Sequence, residues 1–381
     1  MRGIYIHIPF CRQACRYCDF FFTVSLKKID EFVEILILEL ESRASQQNEY
    51  LMGSIYLGGG TPSVLSSGHL ERIMEAVRAN YNISEGAEVT VECNPDDLNT
   101  SFLEELKRLG VNRLSIGIQS FRDKDLILMR RSHDASRARR SVEEAARAGF
   151  NNVTVDLIYG IPGQNAEGWR DNLREALTMP ITHLSAYHLT FEPGTLFDHW
   201  RKKGRLLPVQ EEQSEVMYGM LREELMNAGF EHYEISNFAK HEREASEGFK
   251  SRHNQLYWSG EPYLGFGPSA HSFDGTSRSW NVASLKVYME SVSAGLPAYE
   301  TEHLSAKEQY HDYLITSLRT SRGVQREQID TRFGAAFLDH FDRNSKQFIL
   351  KGTMQERGER LIIDPGRWLM ADHIMRELFM G

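Results

Sequence analysis

Cysteine is scarce in this sequence, and most of it lies in one place. The chain has only four cysteines, and Cys11, Cys15 and Cys18 fall within eight residues of one another. Secreted scaffolds that depend on disulfides space their cysteines differently, so this distribution excludes a disulfide framework. Clustered thiols indicate a metal site instead. Cys93 stands alone after a strand-like run and is expected to be an inert, packed residue.

Long apolar segments and an excess of positive charge are also missing. The nearest candidate for a membrane span, Phe32–Leu40, is interrupted by Glu34 and Glu39, whereas a span needs about 20 apolar residues. The residues after Met1 enter a predicted strand, which leaves no room for a signal peptide. A formal net charge of −9 disfavours a dedicated nucleic-acid-binding protein, because phosphate binding depends on accumulated Lys and Arg. We therefore expect a soluble, cytoplasmic protein without a nucleic-acid partner.

A strand–helix alternation runs through the first half of the chain. Gly3–Phe10 alternates apolar and polar residues as a strand does, and Lys27–Arg43 has apolar residues at helical spacing. Three apolar helices end in a glycine that precedes a β-rich run, at Gly110, Gly149 and Gly229. Repeated βα units predict an α/β fold with a parallel sheet and helices outside it. About six such strands suit a partial (βα)6 barrel better than a closed eight-stranded one.

The pattern changes after residue 240. We predict a barrel domain at 1–240, a connecting segment at 241–300 and a small C-terminal α/β domain at 301–381. The last of these combines strand-like Arg360–Ile363 with helical Trp368–Leu378. Such a combination predicts a winged-helix-like unit.

The cysteine loop is the strongest chemical signal. Cys11, Cys15 and Cys18 form a C-x3-C-x2-C pattern directly after the first predicted strand. Three thiolates can hold three irons of a [4Fe–4S] cubane, and the fourth iron stays open because no further cysteine lies nearby. An open iron can take the amino and carboxylate groups of S-adenosylmethionine, so that an electron can pass to the sulfonium. The alternatives are three incidental cysteines or a zinc site with a remote fourth ligand, although structural zinc usually takes paired C-x2-C units.

Polar side chains lie at or near the ends of several predicted strands. Glu92, Gln119 and Asp156 are such residues, and the cysteine loop and a glycine loop follow the first two strands. In a parallel α/β barrel, the carboxyl ends of the strands carry the site. Strand ends that merely meet solvent would explain any one of these residues, but they explain the whole set poorly.

The longer motifs around these residues resemble those of the radical S-adenosylmethionine superfamily, and within it the oxygen-independent coproporphyrinogen III oxidase group. The resemblance covers almost the whole chain. It rests on Tyr5–Cys11 running into Tyr17–Phe20, on Leu57–Ser63 and on Asp156–Gly163. Glycines at 58 to 60 let the backbone approach a ligand and expose amide donors, and the resemblance implies that this loop binds the methionyl end of the cofactor.

The same resemblance implies a set of cofactor contacts. Tyr17 is expected to pack on the adenine, and Glu92 is expected to accept hydrogen bonds from the cationic amine or the ribose. The group can bind two S-adenosylmethionine molecules, so the resemblance does not assign each residue to one of them. The implied S-adenosylmethionine residues are Tyr5, Tyr17, Gly59, Gly60, Thr61, Glu92, Gln119, Arg131 and Asp156.

Two departures from the oxidase pattern favour the haem chaperone branch of the group. The oxidase has a fourth cysteine where this sequence has Phe20, and it has an N-terminal arm ahead of its first strand. The segment from His253 to Trp258 also matches the HNxxYW motif that this branch associates with haem. Histidine is a common haem ligand, so the resemblance implies haem contacts at His253, Tyr257 and Trp258. A structural histidine beside two core aromatic residues is the alternative.

These implications lead to a functional prediction with two alternatives. We expect a haem chaperone that binds haem and delivers it to acceptor haem proteins, respiratory ones at the membrane surface among them, and that keeps a [4Fe–4S] cluster and S-adenosylmethionine; a homodimer is compatible with this role. The first alternative is a radical enzyme that decarboxylates coproporphyrinogen III or modifies another porphyrin. The second is a regulator that senses haem or the cluster, for which the winged-helix-like tail is the only indication.

Overall fold

The computed structural model describes residues 1–44, 49–241 and 248–381, and strands alternate with helices through its first half. Six strands in these residues pair in parallel, in the order in which they occur along the chain. The strands are β1 (Arg2–Ile8), β2 (Leu51–Gly59), β3 (Asn82–Cys93), β4 (Arg113–Gln119), β5 (Val153–Tyr159) and β6 (His183–His188). The helices among them are α1 (Ile29–Ser42), α2 (Ser67–Asn80), α3 (Thr100–Arg108), α4 (Asp123–Met129), α5 (Ala135–Arg147) and α6 (Ala166–Thr178). This arrangement confirms the predicted α/β fold with a partial (βα)6 barrel.

Alternation along β1 assigns one face of the strand to the helices and the other to the barrel interior. Ile4, Ile6 and Ile8 are fully buried in the main hydrophobic core. Tyr5 points to the opposite face, because successive side chains of a strand alternate, and its ring lies 6.1 Å from that of Tyr56 on β2. The barrel interior is therefore lined by polar and aromatic groups from which a site can be built.

Later strands extend the sheet beyond both edges of the barrel. Strand β8 (Asn237–Lys240) pairs antiparallel with β6, and β9 (Tyr263–Phe266) pairs in parallel with β1, which gives a sheet of twelve strands within the described residues. Strands from the predicted connecting segment 241–300 thus join the main sheet, while residues 242–247 of that segment lie outside the described part of the chain. The additional elements are α7 (Leu196–Lys202), α8 (Glu211–Asn227), β7 (Phe230–Glu234), β8 (Asn237–Lys240), α9 (Arg252–Ser259), β9 (Tyr263–Phe266), β10 (His271–Phe273), β11 (Ser277–Asn281), α10 (Leu285–Ser293) and β12 (Tyr299–His303).

A buried carboxylate on α1 ties this extension to the barrel. Glu39 accepts hydrogen bonds from the backbone N–H of Gly267 at 2.8 Å and from the hydroxyl of Tyr288 at 2.7 Å. The side-chain amide of Asn281 donates to the same carboxylate at 2.8 Å. A buried charge needs such partners, so the residue that interrupts the apolar run of α1 is a specific anchor.

Helix α9 closes the amino-terminal end of the barrel interior. The carboxylate of Glu88 accepts hydrogen bonds from the backbone N–H groups of Arg252 and His253, both at 3.0 Å. A carboxylate at a helix N-terminus satisfies unpaired N–H groups and matches the positive end of the helix dipole. The Oγ atom of Ser54, near the start of β2, lies 2.8 Å from Nδ1 of His253. The helix is therefore fixed by side chains from two barrel strands.

The C-terminal part of the chain forms a small antiparallel sheet with helices. Its middle strand, Arg360–Ile363, pairs with Val324–Gln325 on one side and with Met354–Arg357 on the other. Backbone hydrogen bonds connect Ile235 to Arg319 and Ser321 to Tyr233. Among the described residues, no helix is long and apolar enough to cross a membrane. The elements are α11 (Ala306–Leu318), β13 (Val324–Gln325), α12 (Arg326–Phe333), α13 (Ala335–Leu350), β14 (Met354–Arg357), β15 (Arg360–Ile363) and α14 (Ala371–Leu378).

Candidate radical S-adenosylmethionine site

The cysteine loop crosses the open end of the barrel and is held in place by its own backbone. Cys11 N–H donates to the carbonyl of Thr23 at 2.9 Å, so the loop returns upon itself after leaving β1. Arg16 in the middle of the loop donates its N–H to Met129 at 3.1 Å and accepts from Phe197 at 3.0 Å. These bonds join the loop to the end of α4 and the start of α7.

The three thiols lie along one cavity. Cys11, Cys15 and Cys18 are free and partly exposed, and they line a space of about 440 Å³ at the carboxyl ends of the strands. Burial raises the pKa of Cys18 to about 12 and also raises the pKa of Cys11. Iron must therefore displace protons to bind, as metals do at thiol sites. Cys93 is buried, and its thiol donates to the carbonyl of Val91 at 3.6 Å.

Each of the three sulfurs has a hydrogen-bond donor of a different kind. The Thr61 hydroxyl lies 3.5 Å from Cys11 Sγ, and Nη1 of Arg131 lies 3.4 Å from Cys15 Sγ. A backbone hydrogen bond from Phe20 lowers the pKa of Cys18, which partly offsets the effect of burial. Such donors stabilise thiolates.

The arrangement fits a cubane better than a single metal ion. Within residues 1–44, 49–241 and 248–381, no three His, Cys, Asp or Glu side chains converge on one ion. A cubane does not require convergence, since each of its thiolates binds a different iron. The three thiols of the described chain are therefore compatible with the predicted cluster.

The glycine loop after β2 packs directly against the cysteine loop. Gly59 has φ +107°, and a Cβ atom there would lie 2.5 Å from the ring of His7. A Cβ atom on Gly60 would lie 2.8 Å from the carbonyl oxygens of Ile8 and Phe10. The glycines are therefore required for the backbone to approach β1 and its loop, a reason additional to the predicted approach of a ligand.

Glu92 lies at the end of β3 in the wall of the same cavity. Its carboxylate accepts hydrogen bonds from the Tyr56 hydroxyl at 2.8 Å and from the Gly59 N–H at 3.1 Å. Burial raises the pKa of Glu92 to about 7. An amine cation would favour the ionised form, so this position suits the predicted contact.

Arg131 supplies positive charge to the cavity wall. Its Nη2 atom donates to Asn94 Oδ1 at 2.9 Å and to the carbonyl of Gly117 at 2.8 Å. Among the described residues, its buried Nε has no hydrogen-bond partner. An unpaired guanidinium donor in a cavity wall can bind a carboxylate, so the site fits the methionyl end of S-adenosylmethionine.

Asp156 on β5 faces the cavity opposite the glycine loop. The Ser115 hydroxyl on β4 donates to its carboxylate at 3.0 Å, and burial raises the pKa of Asp156. Tyr187 on β6 is 46% exposed, and it lines the cavity with Asp156. The sequence analysis did not select Ser115 or Tyr187. Side chains alternate between the two faces of a strand, so this alternation could have placed both residues on the inner face, as it places Asp156.

The structure brings most of the predicted cofactor residues together. Tyr5 is the exception: it lies deeper in the interior, where its hydroxyl is 3.1 Å from Nδ1 of His7. The predicted residues that line the cavity are Tyr17, Gly59, Gly60, Thr61, Glu92, Gln119, Arg131 and Asp156.

The residues predicted to contact haem lie on α9, away from the thiols. His253 is 1% exposed, and its ring nitrogens lie 2.8 Å from Ser54 Oγ and 2.8 Å from the Tyr257 hydroxyl. Burial lowers the pKa of His253 to about 3. Trp258 lines a second cavity of about 210 Å³, whereas Asn254 of the same motif lines the main cavity. The motif therefore faces two different spaces.

Comparison with known proteins links both parts of the chain to one group. Residues 5–176 match the model of the radical SAM superfamily, and residues 304–368 match the HemN C-terminal domain. The chain is 36% identical to the haem chaperone HemW of Bacillus subtilis over 93% of either protein. It is 35% identical to the haem chaperone HemW of Lactococcus lactis over 99% of this chain and 97% of that one.

A solved structure shares the fold. Coproporphyrinogen III oxidase (HemN) from Escherichia coli, described as a radical SAM enzyme, superposes with a TM-score of 0.85. The match covers 99% of this chain and 90% of the oxidase, at 23% sequence identity. It therefore supports the same architecture from end to end.

Proposed function

This chain belongs to the haem chaperone HemW family of radical SAM proteins, and we propose that it binds haem and delivers it to acceptor haem proteins. Membership of the superfamily implies a [4Fe–4S] cluster and S-adenosylmethionine. Cys11, Cys15 and Cys18 would hold three irons, and Arg131 and Glu92 would bind the charged groups of the cofactor. A cluster held by these cysteines would provide the electron that reduction of the sulfonium requires.

The observation that carries the choice of chaperone over oxidase is the side chain of Phe20. It stands where the resemblance places a fourth cysteine, it is 65% exposed, and it lines the mouth of the main cavity. A phenyl ring cannot bind iron or move a proton, whereas an exposed aromatic face can pack on a flat apolar molecule. Near-full-length similarity to haem chaperones supports the same choice.

The α9 segment is the proposed haem contact. Trp258 and Arg322 line the second cavity, and the guanidinium of Arg322 suits a haem carboxylate. Lys250 lines the same cavity, but its ammonium is paired with Glu231 at 2.8 Å. Ligation of iron by His253 would require its bond to Ser54 or Tyr257 to open. Haem uptake is therefore expected to involve a local movement of α9.

One experiment separates chaperone from enzyme. Protein reconstituted anaerobically is assayed in parallel for transfer of haem to an apo-acceptor and for decarboxylation of coproporphyrinogen III in the presence of S-adenosylmethionine and a reductant. We expect transfer without decarboxylation. Robust decarboxylation with no transfer would instead support a radical enzyme, which the intact cofactor cavity favours as the second candidate.

The proposal also covers the location of the protein in the cell and its oligomeric state. We infer a cytoplasmic protein that meets respiratory acceptors at the membrane surface, works without nucleic acid and can form a homodimer. Cell fractionation with and without a haem-deficient acceptor tests the location, and light scattering on the haem-loaded and haem-free protein tests the dimer. Recovery in an extracytoplasmic fraction would contradict the first inference, and a monomer in both states would contradict the second.

A further inference from the structure

We propose that Arg131 and Thr61 set the reduction potential of the cluster by donating hydrogen bonds to two of its three cysteine sulfurs. The inference rests on the cluster named under the proposed function, and it adds a role that cofactor binding alone does not give these residues. The relevant distances are 3.4 Å from Arg131 Nη1 to Cys15 Sγ and 3.5 Å from Thr61 Oγ1 to Cys11 Sγ.

The Arg131 guanidinium is held in this position from two directions. Nη2 bonds to the Asn94 side chain and to the Gly117 backbone, which leaves Nη1 directed at Cys15. The Arg131 side chain is partly buried in the wall of the main cavity, next to Cys15. Thr61 is fixed differently, because it follows Gly60, whose N–H donates to the Ile8 carbonyl at 2.9 Å. Both donors lie in connections that hydrogen bonds tie to the barrel, Arg131 between α4 and α5 and Thr61 in the loop after β2.

Hydrogen bonds to cluster sulfurs act on the potential through charge. Reduction adds an electron, much of whose density resides on sulfur, so a donor stabilises the reduced state more than the oxidised state. Removing a donor therefore lowers the potential, and the loss is larger for a charged donor than for a hydroxyl. We expect Arg131 to contribute more than Thr61. The Phe20 backbone donor to Cys18 is unaffected by side-chain substitutions elsewhere.

Two different nitrogen atoms of the Arg131 guanidinium are proposed to serve the cluster and the cofactor. Nη1 faces the sulfur, whereas Nε is the buried atom without a partner among the described residues. The cofactor carboxylate would use Nε, so potentials measured without S-adenosylmethionine report only the contact of Nη1 with the sulfur. This separation makes the proposal testable on the cluster-loaded protein alone.

The test is a redox titration of reconstituted protein, followed by electron paramagnetic resonance without S-adenosylmethionine or haem. For Arg131→Gln we expect the ratio of reduced to oxidised cluster at a fixed potential to fall roughly ten-fold, which is about 59 mV for one electron. For Thr61→Val we expect a fall of about two-fold. Thr61→Ser keeps the hydroxyl and should match the unchanged protein. Arg130→Gln removes an adjacent exposed charge and is the control for charge alone.

Each outcome bears on the proposal. Equal reduction potentials for Arg131→Gln and the unchanged protein would overturn the role of Arg131. If Arg130→Gln shifts the potential as much as Arg131→Gln does, the effect comes from charge at a distance and not from the hydrogen bond. If Arg131→Gln does not retain about four irons, the proposal is tested on the potentials of Thr61→Val and Thr61→Ser. Equal potentials in these two variants would reject the inference. Haem transfer is measured separately, so failure here leaves the chaperone function standing. A protein that never takes up a cluster would instead refute the cofactor assignment itself.

Discussion

The two ends of the barrel interior are built from the same six strands but differ in how their polar groups are used. At the carboxyl end, three thiols are free and Arg131 Nε is unpaired in the described structure. At the amino end, His253 has partners for both ring nitrogens, and Glu88 binds the first N–H groups of α9. Unpaired buried groups are not confined to the carboxyl end, because Nε of Arg113 at the start of β4 also lacks a hydrogen-bond partner among the described residues. The free thiols, which can bind a metal, are what distinguish the carboxyl end. The open end is therefore organised for binding, and the closed end for stability.

The largest effect is expected at the open end. Replacing Cys11, Cys15 or Cys18 by Ala should abolish the cluster, because each thiolate holds one iron of the cubane. Anaerobic reconstitution should give about four irons and four sulfides per chain in the unchanged protein and a reducible signal that S-adenosylmethionine perturbs. Cys93→Ala is the matched control and should keep the cluster. Stoichiometric zinc in anaerobically purified protein, with no cluster on reconstitution, would contradict the assignment.

The closed end should respond in stability instead. His253→Ala removes two buried hydrogen bonds and should lower the free energy of unfolding by about 2 kcal/mol, with an unchanged cluster spectrum. Burial lowers the pKa of His253 to about 3. As the pH falls, the unfolded state therefore takes up a proton at this residue before the folded state does. The contribution of this residue is therefore present above pH 6.5 and lost as pH falls toward 3.

The same variant tests the haem contact. Melting temperature and haem titration are measured on one preparation of His253→Ala, with Trp258→Ala as the companion variant. A shifted Soret band with reduced transfer supports the proposed contact. Destabilisation with unchanged haem affinity in both variants would mean that α9 serves only to close the barrel.

Replacing Glu92 should raise the stability of the protein, whereas replacing His253 should lower it. Burial raises its pKa to about 7, so its ionisation destabilises the cofactor-free protein as pH rises from the unfolded value toward 7. Glu92→Gln should therefore raise the melting temperature at pH 8, while S-adenosylmethionine affinity falls about ten-fold, the equivalent of about 1.4 kcal/mol. In the unchanged protein that affinity should weaken as pH drops below 7. Lower stability at pH 8 with unaltered affinity would refute this difference between the two ends.

The smallest effect is expected at Tyr5, which lies between the two ends. Its hydroxyl contacts His7, and the residue does not line the main cavity. Tyr5→Phe should change S-adenosylmethionine affinity less than two-fold, while one lost hydrogen bond costs about 1 kcal/mol of stability. Isothermal titration and thermal unfolding measure the two quantities. A ten-fold loss of affinity would restore Tyr5 to the cofactor contacts that the sequence predicts.

Local pattern was sufficient to predict the barrel and the thiol loop. Alternation at Ile4, Ile6 and Ile8 and the glycines at helix ends depend on neighbours in the sequence, so one chain reveals them. The spacing of Cys11, Cys15 and Cys18 is likewise local. These features required no knowledge of distant contacts.

Long-range pairing accounts for what the sequence could not reveal. Glu39 interrupts an apolar run, and only the folded chain shows that residues more than two hundred positions away satisfy it. The Ser54–His253 contact spans 199 positions. The donor from Arg131 to Cys15 spans 116 positions. No periodicity encodes such pairs, so the role of each residue became visible only with its partner.

The backbone of the cysteine loop has a consequence for the life of the protein in air. Backbone hydrogen bonds from Cys11 to Thr23, from Arg16 to Met129 and from Phe197 to Arg16 tie the loop to the rest of the fold, and none of these bonds uses a thiol. In small zinc domains, by contrast, metal binding supplies the folding energy, and chelators unfold the protein. Oxidative loss of the cluster should here leave the loop folded, so that a new cluster can be assembled on the same chain. A chain that has lost its cluster in air would then be reusable by reconstitution and would not need to be resynthesised.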